Sequence, residues 1–293
     1  MSEKRALIEK HRGTLSFSRG SEALGLSRKN RREKEVSSHT DDAQWKQRIE
    51  NILTEFPRYG YRRVTAALKR NGRDVNRKKI MRIMRETGLK QKRRTYKPRT
   101  TDSRHKMRVF PNLVKTLVPA CPHHIWVGDI TYVHLPAGFC YVAILLDLFT
   151  RKVVGYAVSL SMDASLVHAA LDMALAHGTP KYHHSDRGGQ YCEMEYVNKL
   201  EKLGTKVSMA DTGVSVDNPF AESFNRTLKV EEVYLRDYQT LDEAKDSISD
   251  FIENVYNAKR LHSSLGYLPP LEFEALWTAA QLRKPESALA CVH

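Results

Sequence analysis

Long apolar runs, paired cysteines and acidic residues near the N-terminus are what this 293-residue sequence has little of. The longest apolar stretch, Phe139 to Leu146, stops at Asp147, far short of the ~20 residues that a helix needs to cross a bilayer. Met1 to Gly13 is charged and holds no apolar segment of the kind that directs secretion. No membrane association is therefore expected. The four cysteines, Cys121, Cys140, Cys192 and Cys291, form no C-x-x-C pair, so neither a disulfide framework nor a zinc ribbon is indicated. A reducing compartment, the cytoplasm, is the expected location. Acidic residues are scarce at one end only. Residues 1–120 carry 33 Lys/Arg against 12 Asp/Glu and the remainder 15 against 22, within a total formal charge of +14. Such asymmetry fits an N-terminal part that neutralises phosphates and a C-terminal part that gathers carboxylates for other work.

The hydrophobic pattern divides the chain in the same place. Glu3 to Arg32 reads as two short helices, with Gly25 at a turn and Ser27 capping a basic helix, a small helix-turn-helix-like module over residues 1–40. A second module is expected over 41–90. There Gln44 to Glu55 is amphipathic, Pro57 and Gly60 break it, and Tyr61 to Asn71 sets Val64, Ala67 and Leu68 on one face. Asn76 then caps a helix running to about Glu86, with Ile80, Ile83 and Met84 inward and Gly88 as its stop. Two helices with a basic second one suit reading of the major groove, although an ordinary helical hairpin with a solvated face gives the same pattern. Arg62, Arg63, Arg77, Lys78, Lys79 and Arg82 are the DNA contacts expected of it. Residues 91–118 read as a basic linker lying along DNA, with Lys92, Arg93 and Arg94 at its head.

From Ile125 the texture changes. Trp126 to Leu135, Tyr141 to Leu148 and Lys152 to Leu160 read as an antiparallel meander. A helix from Ala164 to His177, a strand at Tyr182 to Ser185, a helix from Glu193 to Leu203 and a strand at Lys206 to Met209 follow. The expected fold over 119–285 is α/β, a mixed five-stranded sheet flanked by helices, preceded by the all-α modules.

Three carboxylates stand out against that frame. Asp129 lies in an otherwise apolar strand, where an uncompensated charge is costly and calls for a cation. Asp186 follows the C-terminal end of a strand, and Glu222 sits one turn into a helix opened by Asp217-Asn218-Pro219. Such a set could converge at a sheet edge and hold two hard cations for in-line displacement at phosphorus. Taken singly, each carboxylate is as well explained by a solvated surface or a salt bridge. Asp147 could be a fourth ligand, but capping the turn before Thr150 suits it better. Arg226 and Lys229 share the Glu222 face, with Asn225 nearly so, and are expected to meet phosphates or order a terminal nucleotide. For Tyr256, Arg260 and His262 the sequence leaves docking and DNA contact equally open.

Thirty-five residues separate Asp186 from Glu222, and the order Asp129, Asp186, Glu222 resembles the DD(35)E signature of transposases and retroviral integrases. The surrounding text is more specific: Trp126-Val127-Gly128-Asp129-Ile130-Thr131-Tyr132, His184-Ser185-Asp186-Arg187-Gly188-Gly189-Gln190-Tyr191, Asp217 to Phe224, and Tyr256-Asn257, Arg260, His262, Leu265-Gly266-Tyr267 and Pro270. Together they resemble the OrfB transposase of the insertion-sequence-3 family over almost the whole chain. The resemblance implies an RNase H-like core and two Mg²⁺ or Mn²⁺ ions held by Asp129, Asp186 and Glu222. It also implies cleavage and strand transfer at the element's terminal inverted repeats, on the nucleoid of a bacterial-type cell. Double-stranded DNA, further copies of the chain and the upstream-frame protein OrfA, free or fused, are the implied partners. Two departures are Gly128, where Thr or Ala is common, and Asn30-Arg31-Arg32, where tyrosines are frequent. A DNA-binding regulator with a degenerate core and a simple nuclease are the rival readings; the intact triad argues against the first and the tandem N-terminal modules against the second.

Overall fold

The computed structural model describes residues 7–8, 10–11, 17–25, 39–89, 108–211 and 218–283. Two compact units divide between Arg48 and Ile49. In the first, one helix, α1 (Phe17–Ala23), is described whole. Most of the expected first helix-turn-helix, including Ser27 and Asn30 to Arg32, lies outside the described residues, as do Lys92, Arg93 and Arg94 of the linker.

The second unit starts within α2 (His39–Glu55) and continues with α3 (Tyr61–Arg70) and α4 (Arg77–Glu86). Ile49, Val64, Leu68, Val75, Ile80, Ile83 and Met84 are buried between these helices. The Asn76 side chain accepts from Lys78 N at 2.9 Å, satisfying an amide that the first turn leaves without a partner.

The sheet runs β3-β2-β1-β4-β5, with β1 (Ile125–Leu135), β2 (Gly138–Asp147), β3 (Val153–Ser159), β4 (Tyr182–Ser185) and β5 (Lys206–Met209). The meander strands are antiparallel, and β4 joins β1 in parallel over Ile125 to Val127 only. Side chains alternate across the sheet, and each face collects its own core. On one face Ile125, Val127, Val133 and Leu135 meet Phe224 and Leu228 of α7 (Pro219–Glu231) and Ile248 of α8 (Leu241–Asp250). Trp126, Leu145 and Val154 face the other way, toward α5 (Ala164–Leu175) and α6 (Met194–Lys202). Gly155 lets α5 approach closely, since a Cβ there would stand 2.2 Å from the Ala170 carbonyl oxygen. This is the mixed, helix-flanked sheet expected of an RNase H-like core.

After α8 the chain makes a π-helical turn, Phe251–Asn257, before α9 (Pro270–Leu282). Asn257 bonds both backbone groups of Val153 at 3.0 Å and so fastens that turn to the start of β3. The second helical module is fastened to the core as well. Tyr59 Oη accepts from Leu261 N at 2.8 Å, Arg63 Nε donates to Leu261 O at 3.1 Å, Arg70 pairs with Glu272 at 2.6 Å, and Lys259 pairs with Glu55 at 3.1 Å. Among the described residues no helix is long and apolar enough to cross a membrane.

Candidate active site

Asp129 is set by the alternation of β1 on the face that α7 covers. Its Oδ1 accepts from Ile130 N at 2.9 Å and its Oδ2 from Asn225 Nδ2 at 2.8 Å. Burial first, then the Asp186 carboxylate and more weakly Glu222, raise its pKa from 3.8 to about 7 against those two hydrogen bonds. Asp186 lies one residue past β4, and its Oδ1 accepts from Gly188 N at 2.9 Å. The following Arg187 donates through Nε to Ala210 O at 2.7 Å, which anchors that turn. Glu222 is exposed in the first turn of α7, where the helix dipole favours a carboxylate.

Two amide side chains bring that helix to the strand. Asn218, just before Pro219, donates through Nδ2 to Gly128 O at 2.9 Å, and Asn225 reaches Asp129 one turn beyond Glu222. Glu222 is thus bracketed by clamps to two consecutive β1 residues. The Oδ1 atoms of Asn218 and Asn225 are buried without a hydrogen-bond partner. On the opposite face the Tyr191 ring lies over Gly128, where a Cβ would be 3.0 Å from its Cε1. Burial and the nearby Tyr196, Asp129 and Asp186 hold the Tyr191 hydroxyl well above its usual pKa.

Around this centre the expected residues part company. Lys229 is half-buried, its ammonium 4.1 Å from the Tyr132 ring centroid, with burial lowering its pKa and Asp129 opposing the shift. Arg226 is exposed, as are Arg62, Arg77 and Lys78, while Lys79 and Arg82 are half-buried and Arg82 pairs with Glu86 at 2.8 Å. Arg63 is half-buried. Its guanidinium lies 5.5 Å over the Tyr59 ring, bonds Leu261 O and stands 3.8 Å from Glu231. The side chain expected to meet a phosphate is thus held by protein partners, with 30% of it still exposed.

The open choice for Tyr256, Arg260 and His262 closes in favour of docking. Arg260 grips Glu231 with Nε at 2.7 Å and Nη2 at 2.8 Å, and Tyr256 packs edge-on against Phe224 and His262 at 4.8 and 4.9 Å. Burial, then Arg260, Arg63 and Arg151, push His262 down to about 2. Asp147 caps a turn, accepting from the amides of His123, Phe149 and Thr150 at 2.6 to 2.8 Å. His184 bonds Ser208 Oγ at 2.9 Å and packs at the strand end.

Sequence reasoning missed Asn218 and Tyr191 as parts of this centre. The signal for the second was present in Gly128, whose lost side chain leaves room for a ring. It also missed a group on α5 and at the start of α6: His168, Glu193 and Glu195 have donor atoms all within 4.8 Å of one another, which suggests a metal-binding site. None of these three belongs to the triad. Asp129, Asp186 and Glu222 are spread more widely than that limit, so the three oxygens do not form a single tight knot.

The sheet order and the helices that flank it are those of a polynucleotidyl transferase of the integrase-core class. Known proteins agree. Two family models described as "Integrase core domain" match residues 119–215 and 203–270, and one described as "HTH-like domain" matches 40–97. The transposase InsF of insertion sequence IS3A from Escherichia coli (strain K12) is 32% identical over 286 residues, spanning 92% of this chain and 98% of that protein. An uncharacterized 31 kDa protein of insertion element IS600 from Shigella sonnei is 39% identical over 219 residues, 73% of this chain and 80% of that one. The solved HTLV-2 integrase catalytic core domain in complex with magnesium (trimeric form) aligns with 54% of this chain and 99% of its own at 16% identity and TM-score 0.43, too distant to bear on activity. This chain belongs to the insertion-sequence-3 family of DNA transposases, within the DDE transposase and integrase superfamily. It is an enzyme of phosphodiester chemistry with a DNA-binding helical region.

Proposed function

We propose that this chain binds the terminal inverted repeats of its own element and catalyses their metal-dependent cleavage and strand transfer, with Asp129, Asp186 and Glu222 as the catalytic and metal-holding carboxylates. The observation that carries the reading is Asp129, half-buried beside two further carboxylates, its pKa raised to about 7 first by desolvation, then by the Asp186 charge and more weakly by Glu222. A carboxylate so placed keeps its charge above neutral pH more readily with a cation between it and its acidic neighbours. The donor set suits hard divalent ions, being all oxygen, with the orphaned Oδ1 atoms of Asn218 and Asn225 close by. Two Mg²⁺ or Mn²⁺ ions there would supply Lewis-acid stabilisation of both oxygens in an in-line displacement at phosphorus.

The chain's own residues do the rest. Asn225 and Ile130 N keep Asp129 oriented, Asn218 holds the start of α7 against β1, and Tyr191 closes the far side of the strand to water. Arg226 and Lys229 would meet backbone phosphates near the scissile bond. Arg62, Arg77, Lys78, Lys79 and Arg82 of the 41–90 module would meet DNA phosphates, as would Lys92, Arg93 and Arg94 of the linker sequence. Further copies of the chain, and OrfA or a fusion with it, complete the assembly on DNA. The test is to incubate purified protein, with and without the upstream frame, with the element-end DNA flanking its gene. Strand-transfer products on paired ends are expected; hydrolysis without joining would favour a nuclease, and binding without either a regulator.

A further inference from the structure

We propose that Arg63, Glu231 and Arg260 form a positioning junction that sets which phosphodiester reaches the active site, by holding the second helical module at a fixed span from Glu222. The inference rests on the triad being the active site.

Glu231 ends the helix that carries Glu222, nine residues and about 13 Å further along. From the core side it receives the planar fork of Arg260 in two short hydrogen bonds, and from the module side Arg63 at 3.8 Å. Arg63 itself lies on α3, which packs against α4, so one carboxylate ties the module to the catalytic helix. Arg260 is 4% exposed in its side chain and Glu231 13%. A fork-to-carboxylate pair out of water has one good geometry, so it fixes orientation where apolar contact alone would permit sliding. Tyr59 and Arg63 both bond the Leu261 peptide, which adds two directional contacts at the same place. Meanwhile Arg77, Lys78 and Arg85 of α4 stay exposed. DNA held by α4 therefore stands at a defined distance from the carboxylates, and the junction works as a ruler.

A purely stabilising junction would make a different prediction: every cut falls together as the protein loosens. The experiment uses the full chain on end-labelled element DNA, with melting temperature, end affinity and cut positions at nucleotide resolution measured for each variant. Arg63→Met should keep wild-type end affinity while the share of cuts at the native phosphodiester falls about 10- to 100-fold, the scale set by ångström misplacement of reacting groups. Arg63→Lys, which keeps the charge without the fork, should recover part of it. Should Arg63→Met not fold, Arg63→Gln, which keeps a donor for the Leu261 carbonyl and removes the charge facing Glu231, decides on the same readout. Cutting at the wild-type position and share overturns the inference. So does loss of end affinity, which would put Arg63 on DNA, or a uniform fall at every position alongside melting temperature. Wild-type protein that cuts no end DNA strikes the proposed function and the inference with it, whereas native-site cutting by every variant strikes the inference alone.

Discussion

Changing Asp129 to Asn should make the metal-free protein more stable at neutral and alkaline pH. The carboxyl's pKa rises from 3.8 to about 7 on folding, through burial and then the Asp186 charge. Between about pH 4 and pH 7 the folded state therefore holds more proton than the unfolded one, and stability falls as pH rises through that window. About three pKa units at 1.36 kcal/mol each make a cost of about 4 kcal/mol, present in full above pH 7 and absent below pH 4. Asparagine carries no such cost. It keeps an acceptor for one of the two hydrogen bonds that Asp129 receives and loses the other, worth about 1 kcal/mol. The net gain is about 3 kcal/mol near pH 8, shrinking to nothing or reversing near pH 4. Urea unfolding of both proteins across that range, in chelator and then in Mg²⁺, measures it. Mg²⁺ should stabilise wild type near pH 8 and leave the variant unmoved, closing the gap. A difference between the two proteins that stays flat with pH, or a variant less stable near pH 8 without metal, refutes the reasoning.

Asp129→Asn, Asp186→Asn and Glu222→Gln should each abolish cleavage and strand transfer with end binding retained, since an amide keeps shape but not charge; near wild-type strand transfer by any one removes that residue from the site. Arg260→Met should cost about 3 kcal/mol, the lower end of the range for breaking a buried pair, by leaving the half-buried Glu231 without its main partner, read as a lowered denaturation midpoint at unchanged slope. Gly155→Ala should fail to accumulate as folded protein, because its Cβ would meet the Ala170 carbonyl at 2.2 Å and Ala174 Cβ at 2.7 Å; a soluble variant with wild-type melting would show that α5 can retreat.

The core was legible because its signals are local. An alternating apolar strand with one carboxylate, or a Pro-led helix with a glutamate in its first turn, looks unusual whatever surrounds it. Strands at Tyr182–Ser185 and Lys206–Met209 fall where the apolar runs put them. What was not legible depends on which neighbour a charged side chain finds. Arg62 and Arg63 are adjacent and identical in type, yet one is exposed and the other reaches Glu231, 168 positions away in the chain. Periodicity assigns a face to each but cannot say that a second domain covers one of those faces. Lys229 likewise reads as a phosphate contact on the Glu222 face, and nothing local says that Tyr132 lies beneath its ammonium. The clamp residues Asn218 and Asn225 read as a cap and a nucleotide contact, since nothing local says that β1 runs alongside.

The short pairing of β4 with β1 has a consequence for the protein before it ever meets DNA. Beyond Val127 no described strand pairs with that side of β1, and next along the strand the Gly128 carbonyl accepts from the Asn218 side chain instead. A strand edge without a partner strand is a template on which another chain's strand can add. The same stretch carries Asp129, whose unneutralised charge repels a flat apolar intruder, and Tyr132, roofed by the Lys229 ammonium. Charges that look wasteful in a strand thereby protect solubility during synthesis, when carboxylates are not yet gathered around anything, and replacing them with apolar residues would trade an inactive enzyme for an aggregating one.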